Sequence, residues 1–250
     1  MSATNNDSTS GFDIGAVLLA PTKDPKWIAT CGVIGLLALV PIAGALNLLG
    51  WMRAITERRI RGGDDAHTLP PANLDYVGAG WRLFLARLPL GALFALLLCV
   101  GFGVGFGLVA VGGSFETLGA LVMVATYLGI FAAGLVASVL APAIDFLHIV
   151  DGEAWASVAF GRQWETMRSS GTNYVLVVVA NLIGGVIAQM GIAACFVGVF
   201  VTAPYAIAVQ GAALAEYARV LAARPVAGIP SVRVGGVGGG DGTPFGVGGA

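Results

Sequence analysis

Charged positions in this chain fall into blocks, and the stretches between them, residues 27–52, 88–115, 117–144 and 169–215, carry none. A charge at the centre of a bilayer costs about 2.5–3.5 kcal/mol on the insertion scale. An uncharged apolar run of roughly 20 residues is what a lipid-spanning helix requires. The runs predict spans near 27–50, 90–111 and 118–141, with Pro89 and Pro142 at the edges of the second and third. As one helix, the last run would reach roughly 70 Å at about 1.5 Å per residue. The hydrocarbon core is only about 30 Å thick, so the run divides. Gln189-Met190-Gly191 is the predicted turn, giving spans near 173–189 and 193–215. The expected fold is an all-α integral membrane protein with about five transmembrane helices and interfacial helices on the cytoplasmic side.

The segments between the runs set the domain plan: a polar N-terminal segment (1–26), a helical membrane domain (27–221) and a tail (222–250). Residues 13–26, with Pro21 and Pro25, predict an interfacial approach to the first span. The first helix is expected to run on through Trp51–Arg61, where Arg53, Glu57 and Arg61 stand four apart and opposite charges support one another. Residues 62–77 read as a loop. Residues 153–168 predict a surface helix with Phe160, Trp164 and Met167 on one face, lying in the headgroup plane. Residues 235–250 contain nine glycines, and such a segment cannot bury a core, so a disordered tail is expected.

Composition agrees with this pattern. The 250 residues are 57% hydrophobic and 11% charged, against about 25% charged in soluble domains. Net charge is −1, which gives no reason to expect a nucleic-acid partner. Cys31, Cys99 and Cys195 all lie inside apolar runs without a CxxC pair and read as small buried hydrophobes. Ala43-Gly44-Ala45 resembles a signal-peptide cleavage site, but the segment before it is long and polar, so an uncleaved first span is expected.

Five spans place residues 51–89, 145–172 and 216–250 on one side, and these hold all eleven arginines. Positive residues near span ends favour the cytoplasm. The expected orientation in a bacterial plasma membrane therefore has the N-terminus outside and the C-terminus inside, with Lys23 and Lys26 opposing it locally.

The stretch Gly50-Trp51, Arg53, Arg58, Arg59, Gly62-Gly63-Asp64-Asp65, Leu69-Pro70 and Asn73-Leu74-Asp75 resembles an uncharacterised prokaryotic multi-pass membrane family, the domain of unknown function numbered four-zero-one-three. In that family a first span runs into a Gly-aromatic step, a basic helix, a Gly-acidic turn and a Leu-Pro segment. The likeness extends over roughly 20–221, and Pro71 and Ala72 depart from the family pattern. It implies a helical membrane domain and carries over no catalytic residue.

Ionisable and amide side chains at span depth are the candidate contacts. Asp145 and His148 share a helix face, with Asp151 further along it; an intramembrane ionisable group is a functional hypothesis by default. At a span end the same residues read more readily as an interfacial polar cap, because helix ends are cheaply solvated. Asn47, Asn181, Gln189 and Gln210 suit interhelical hydrogen bonds, worth about 0.6 kcal/mol each on average, more readily than a solute path. Arg53, Arg58, Arg59 and Arg61 form the densest basic cluster and can meet anionic headgroups or simply set topology. Gly101, Gly103, Gly105 and Gly107 predict close helix packing. No catalytic set, cofactor motif or metal-ligand spacing is legible.

The expected function is accordingly non-enzymatic: a multi-pass protein in contact with the lipid bilayer that organises or assists protein partners or its own copies. The alternative is a small-solute transporter or channel subunit, which would need a polar path through the midplane that only the amides could line.

Overall fold

The computed structural model describes residues 11–62, 64–193 and 198–223, and every regular element among them is helical. Helix α1 (Ile14–Leu18) and a 3-10 turn (Pro21–Lys23) precede α2 (Trp27–Leu37) and α3 (Ala43–Arg61). A second 3-10 turn (Asp64–His67) leads to α4 (Val77–Val111), α5 (Ser114–Val150), α6 (Phe160–Ser169), α7 (Gly171–Ala193) and α8 (Val199–Ala223). Among the described residues, four helices are long and apolar enough to cross a membrane: α4, α5, α7 and α8.

The predicted first span is not one of them. Its helix breaks after Leu37, and Ala43 N–H closes a turn onto the Pro41 carbonyl at 2.6 Å, with Ile42 at φ 62°. Pro41 has no N–H to continue the ladder and disfavours helical geometry at Val40. The chain then reverses. Along α2, the Trp27 ring meets Tyr205 at 5.5 Å and Gly35 meets the backbone of Phe200, so α2 runs antiparallel to α8. Along α3, Thr56 bonds the Gly211 carbonyl and the Arg59 carbonyl accepts from Arg219, so α3 runs parallel to α8. Helices α2 and α3 are thus two arms of a hairpin laid on α8. A Cβ on Gly35 would fall 1.9 Å from the Phe200 carbonyl oxygen, an approach that only glycine allows.

This reversal relocates the N-terminal segment. The Leu69 N–H donates to Asp24 at 2.8 Å, Arg59 donates to the Ala20 carbonyl at 3.2 Å, and Phe12 N–H reaches Asn173 at 3.4 Å. Residues 12–24 therefore pack at the arginine-bearing end of the bundle, where five spans would have set them opposite it. Phe12, Val17 and Ala20 are buried in the main core, so this segment is part of the folded domain and not a polar approach to it.

The later boundaries shift too. Helix α4 begins well before Pro89 and α5 continues beyond Pro142. Proline is tolerated in membrane helices where neighbouring protein compensates, and here the flanking residues are packed. Leu83 and Ala86 are buried, as is every residue from Pro142 to Ile149. Beyond this base, from 91 to 135, α4 and α5 bury only Gly105 and Gly119, in the face they share. Gly112 and Gly113, at φ 77° and 63°, make the tip, and Glu116 sits in the first turn of α5, where the helix dipole favours it.

Helix α7 continues through Gln189-Met190-Gly191 to Ala193, so the predicted turn is helix and neither closing span is short. None of those residues breaks a helix in apolar surroundings, and Gly191 lies against Gly198 and Thr202 of the returning chain. Residues 194–197, with Cys195, and the expected tail from 224 onward lie outside the described residues. Cys31 is a buried free thiol and Cys99 an exposed one.

Helix α6 starts at Phe160, after a turn over 154–158, and is shorter than predicted. It turns Gln163 and Thr166 inward. Phe160 and Trp164 are exposed and Met167 is half-buried.

Candidate functional site: a buried polar base beneath the hairpin

The main core joins α3, α4, α5, α7 and α8 through Met52, Leu83, Ala143, Phe146, Val177, Val209 and Leu214. Set within this apolar packing is one charged cluster. Asp145 is fully buried. Arg87 Nε donates to its Oδ1 at 2.6 Å, and Arg87 Nη2 donates to Oδ2. Gln210 Nε2 adds a third bond to Oδ2 at 3.4 Å. The cluster thus ties α4, α5 and α8 together. A bidentate pair of this kind holds direction as well as charge.

Of the predicted polar contacts, the fold unites Asp145 with Gln210 and separates the rest. His148 shares the helix of Asp145 but points to the following loop, where its Nδ1 lies 3.0 Å from the Glu153 carbonyl. A carbonyl only accepts, so Nδ1 carries a proton, and Nε2 is buried without a partner among the described residues. Asp151 belongs to a second cluster, in which Arg162 bonds both Asp151 at 2.8 Å and Glu153. Burial pushes the Asp151 carboxyl above its ordinary range, and the Arg162 charge only partly offsets this. Asn47 is buried on α3 and donates to the Asn73 carbonyl at 2.9 Å, fastening the 62–76 loop beside Trp51, whose indole N–H reaches Pro70. Asn181 is half-buried on α7 and Gln189 is exposed near its far end. Among the described residues these amides do not converge on a common path.

Of the four clustered arginines, Arg53, Arg58 and Arg59 are half-buried and Arg61 is exposed. Arg53 pairs with Glu57 at 2.6 Å, Arg58 reaches Thr68 and the Leu69 carbonyl, Arg59 holds Ala20, and Arg61 bonds the Glu57 carbonyl. Burial, with Arg219 nearby, pushes the Arg59 guanidinium below its ordinary value. Arg87 was absent from the sequence-based candidates. The signal was present, since Arg87 and Asp145 are the charges just outside two uncharged runs, and a hairpin of those runs brings its base residues together.

Among the described residues no group of His, Cys, Asp and Glu can hold a metal ion. The chemistry available to the base is electrostatic fastening. Four apolar spanning helices over a base of paired charges define a multi-pass helical membrane protein. Comparison with protein-family models, curated proteins and solved structures finds no match for the chain.

Proposed function

We propose that this is a non-enzymatic protein of the bacterial plasma membrane that organises partner proteins, or its own copies, through the α4–α5 hairpin. The supporting observation is a division of labour in the molecule. Asn47, Asp145 and Gln210 all serve internal bonds, while the hairpin offers open apolar surface. On α4, Gly91, Ala95, Cys99, Gly103 and Gly107 recur every four residues and all are exposed. The alternate pair, Gly101 and Gly105, already brings α5 into close contact in this chain. Small residues at that spacing let helix backbones approach, so the open stripe suits a second helix.

The arginine-bearing end is assigned to the cytoplasm by its positive charge, which puts residues 12–24 inside with α8's C-terminal end. Helix α6, with exposed Phe160 and Trp164, lies at the headgroup level in this reading. The likeness of the 50–75 segment to family four-zero-one-three fits it and adds no activity.

The test uses a chain whose sole cysteine is Cys99, cross-linked in native membranes. A discrete adduct that Gly103→Leu abolishes supports the proposal. Absence of any adduct, or loss of solute flux in a folded Asn181→Leu chain, overturns it in favour of transport.

A further inference from the structure

Where α5 leaves the hairpin and α6 crosses it, the surface folds into a groove of about 500 Å3 lined by Val136, Val139, Leu140, Phe160, Gln163, Trp164 and Met167. We propose that this groove binds one acyl chain of an anionic phospholipid whose headgroup carries a hydrogen-bond donor, with the phosphate at Arg168. This inference is independent of the partner-organising role and rests only on the chain being a membrane protein.

The walls account for the acyl chain. Val136, Val139 and Leu140 belong to the predicted third span, where lipid tails are the solvent, and the volume lies in the range of small-molecule sites. Trp164 and Phe160 are 57% and 67% exposed on the opposite wall. Trp concentrates at membrane–water interfaces because its ring is apolar and its N–H is polar. The groove thus runs from hydrocarbon toward headgroups.

Two polar features select the headgroup. The Arg168 guanidinium lies 5.7 Å from the centre of the Trp164 ring. Among the described residues no carboxylate pairs with it, whereas Arg162 on the same helix is held by Asp151 and Glu153. Arg168 is therefore the uncompensated cation at the groove's edge, suited to a phosphate. Gln163 is only 1% exposed; its amide N–H donates to the Ala156 carbonyl while its Oε1 has no partner. A buried acceptor without a donor is costly. Gln163 lines the groove next to Trp164, the residue that Arg168 approaches, and a headgroup hydroxyl entering there supplies the missing donor.

The experiment is native mass spectrometry of the full chain, released from detergent, with three lipids of identical acyl chains: phosphatidylglycerol, phosphatidylmethanol and phosphatidylcholine. One phosphatidylglycerol should be retained per chain, about fivefold over phosphatidylcholine, whose phosphate is offset by its own ammonium group, as one arginine near an anionic headgroup provides. Phosphatidylmethanol, anionic but without the hydroxyl, should fall between them. Arg168→Ala should bring phosphatidylmethanol down to the level of phosphatidylcholine, and Val136→Trp, which fills the groove, should lower retention of all three lipids. Arg82→Ala, an exposed arginine on α4, should change nothing. Equal retention of phosphatidylglycerol and phosphatidylcholine by the wild type overturns the proposal. So does undiminished retention by Val136→Trp, or an equal loss in Arg82→Ala and Arg168→Ala.

Discussion

Arg87 and Asp145 stand 58 residues apart and meet through two N–H···O bonds at the root of the α4–α5 hairpin. Removing one partner of a buried pair leaves the other charge uncompensated, at a cost of about 3–5 kcal/mol. Arg87→Ala, which strands the fully buried Asp145, should destabilise the protein by that order in detergent unfolding, and Asp145→Ala, which strands the part-exposed Arg87, by less. A double Arg87→Met, Asp145→Leu chain should recover much of the loss. A double variant no better than the singles would show that the pair carries more than charge balance.

Ile42 holds φ 62°, which is strained for a β-branched residue, and its side chain is 77% exposed. Ile42→Gly should therefore stabilise the protein by about 1 kcal/mol, the relief of backbone strain less the entropy of glycine. Equilibrium unfolding checks this, and a destabilised variant would assign the Ile42 side chain a contact of its own.

Gly80 faces the Leu46 carbonyl so closely that a Cβ would lie 1.7 Å from its oxygen, and Gly50 faces Tyr76 at 2.0 Å on the same seam. Overpacking costs about 1–3 kcal/mol and occasionally more. Gly80→Ala should reach the upper part of that range because backbone must move. Gly103→Ala, with open space around it, should be nearly silent. Thermal unfolding of the two variants in one detergent gives the comparison.

Asp151 supplies a pH dependence opposite in sign to that of a stabilising salt bridge. Its carboxyl sits above the ordinary value of 3.8 because burial outweighs Arg162. The folded state then binds the proton more tightly than the unfolded state. The resulting stability is present below pH 3.8 and is lost as pH rises through the folded value. Asp151→Asn should remove that decline from the stability–pH curve. A curve unchanged from wild type would mean that Arg162 fully compensates the burial.

Side-specific labelling tests the reversal at Pro41. In a chain freed of native cysteines, Thr22→Cys should react from the same side as a cysteine in place of Ala223, and Ser114→Cys from the opposite side. Labelling of position 22 with position 114 would restore a full first crossing.

Hydropathy alone made the helical membrane class legible, because the cost of charge in lipid acts on composition directly. The count of spans was less legible. Residues 27–50 are apolar enough to cross, but Pro41 and the close approaches at Gly35 and Gly44 turn them into a hairpin. Hydropathy does not register those backbone effects. Pro89 and Pro142 erred the other way: as local signals they end helices, yet tertiary packing at the base carries α4 and α5 through them. At the base, Gln210 was legible as an amide within an apolar run and Asp145 as an ionisable group at the end of one. Arg87 was marked only by its place just before an uncharged run, and its pairing with Asp145 depends on hairpin register, a property of packing more than of spacing along the chain.

The hairpin is joined to the remaining helices only near its root, while its shaft between 91 and 135 meets lipid on nearly every side. A helix pair so placed takes its tilt from the bilayer, since hydrophobic mismatch is relieved by tilting. The pivot of any such tilt is the root, where Arg87, Asp145 and Gln210 join α4 and α5 to α8.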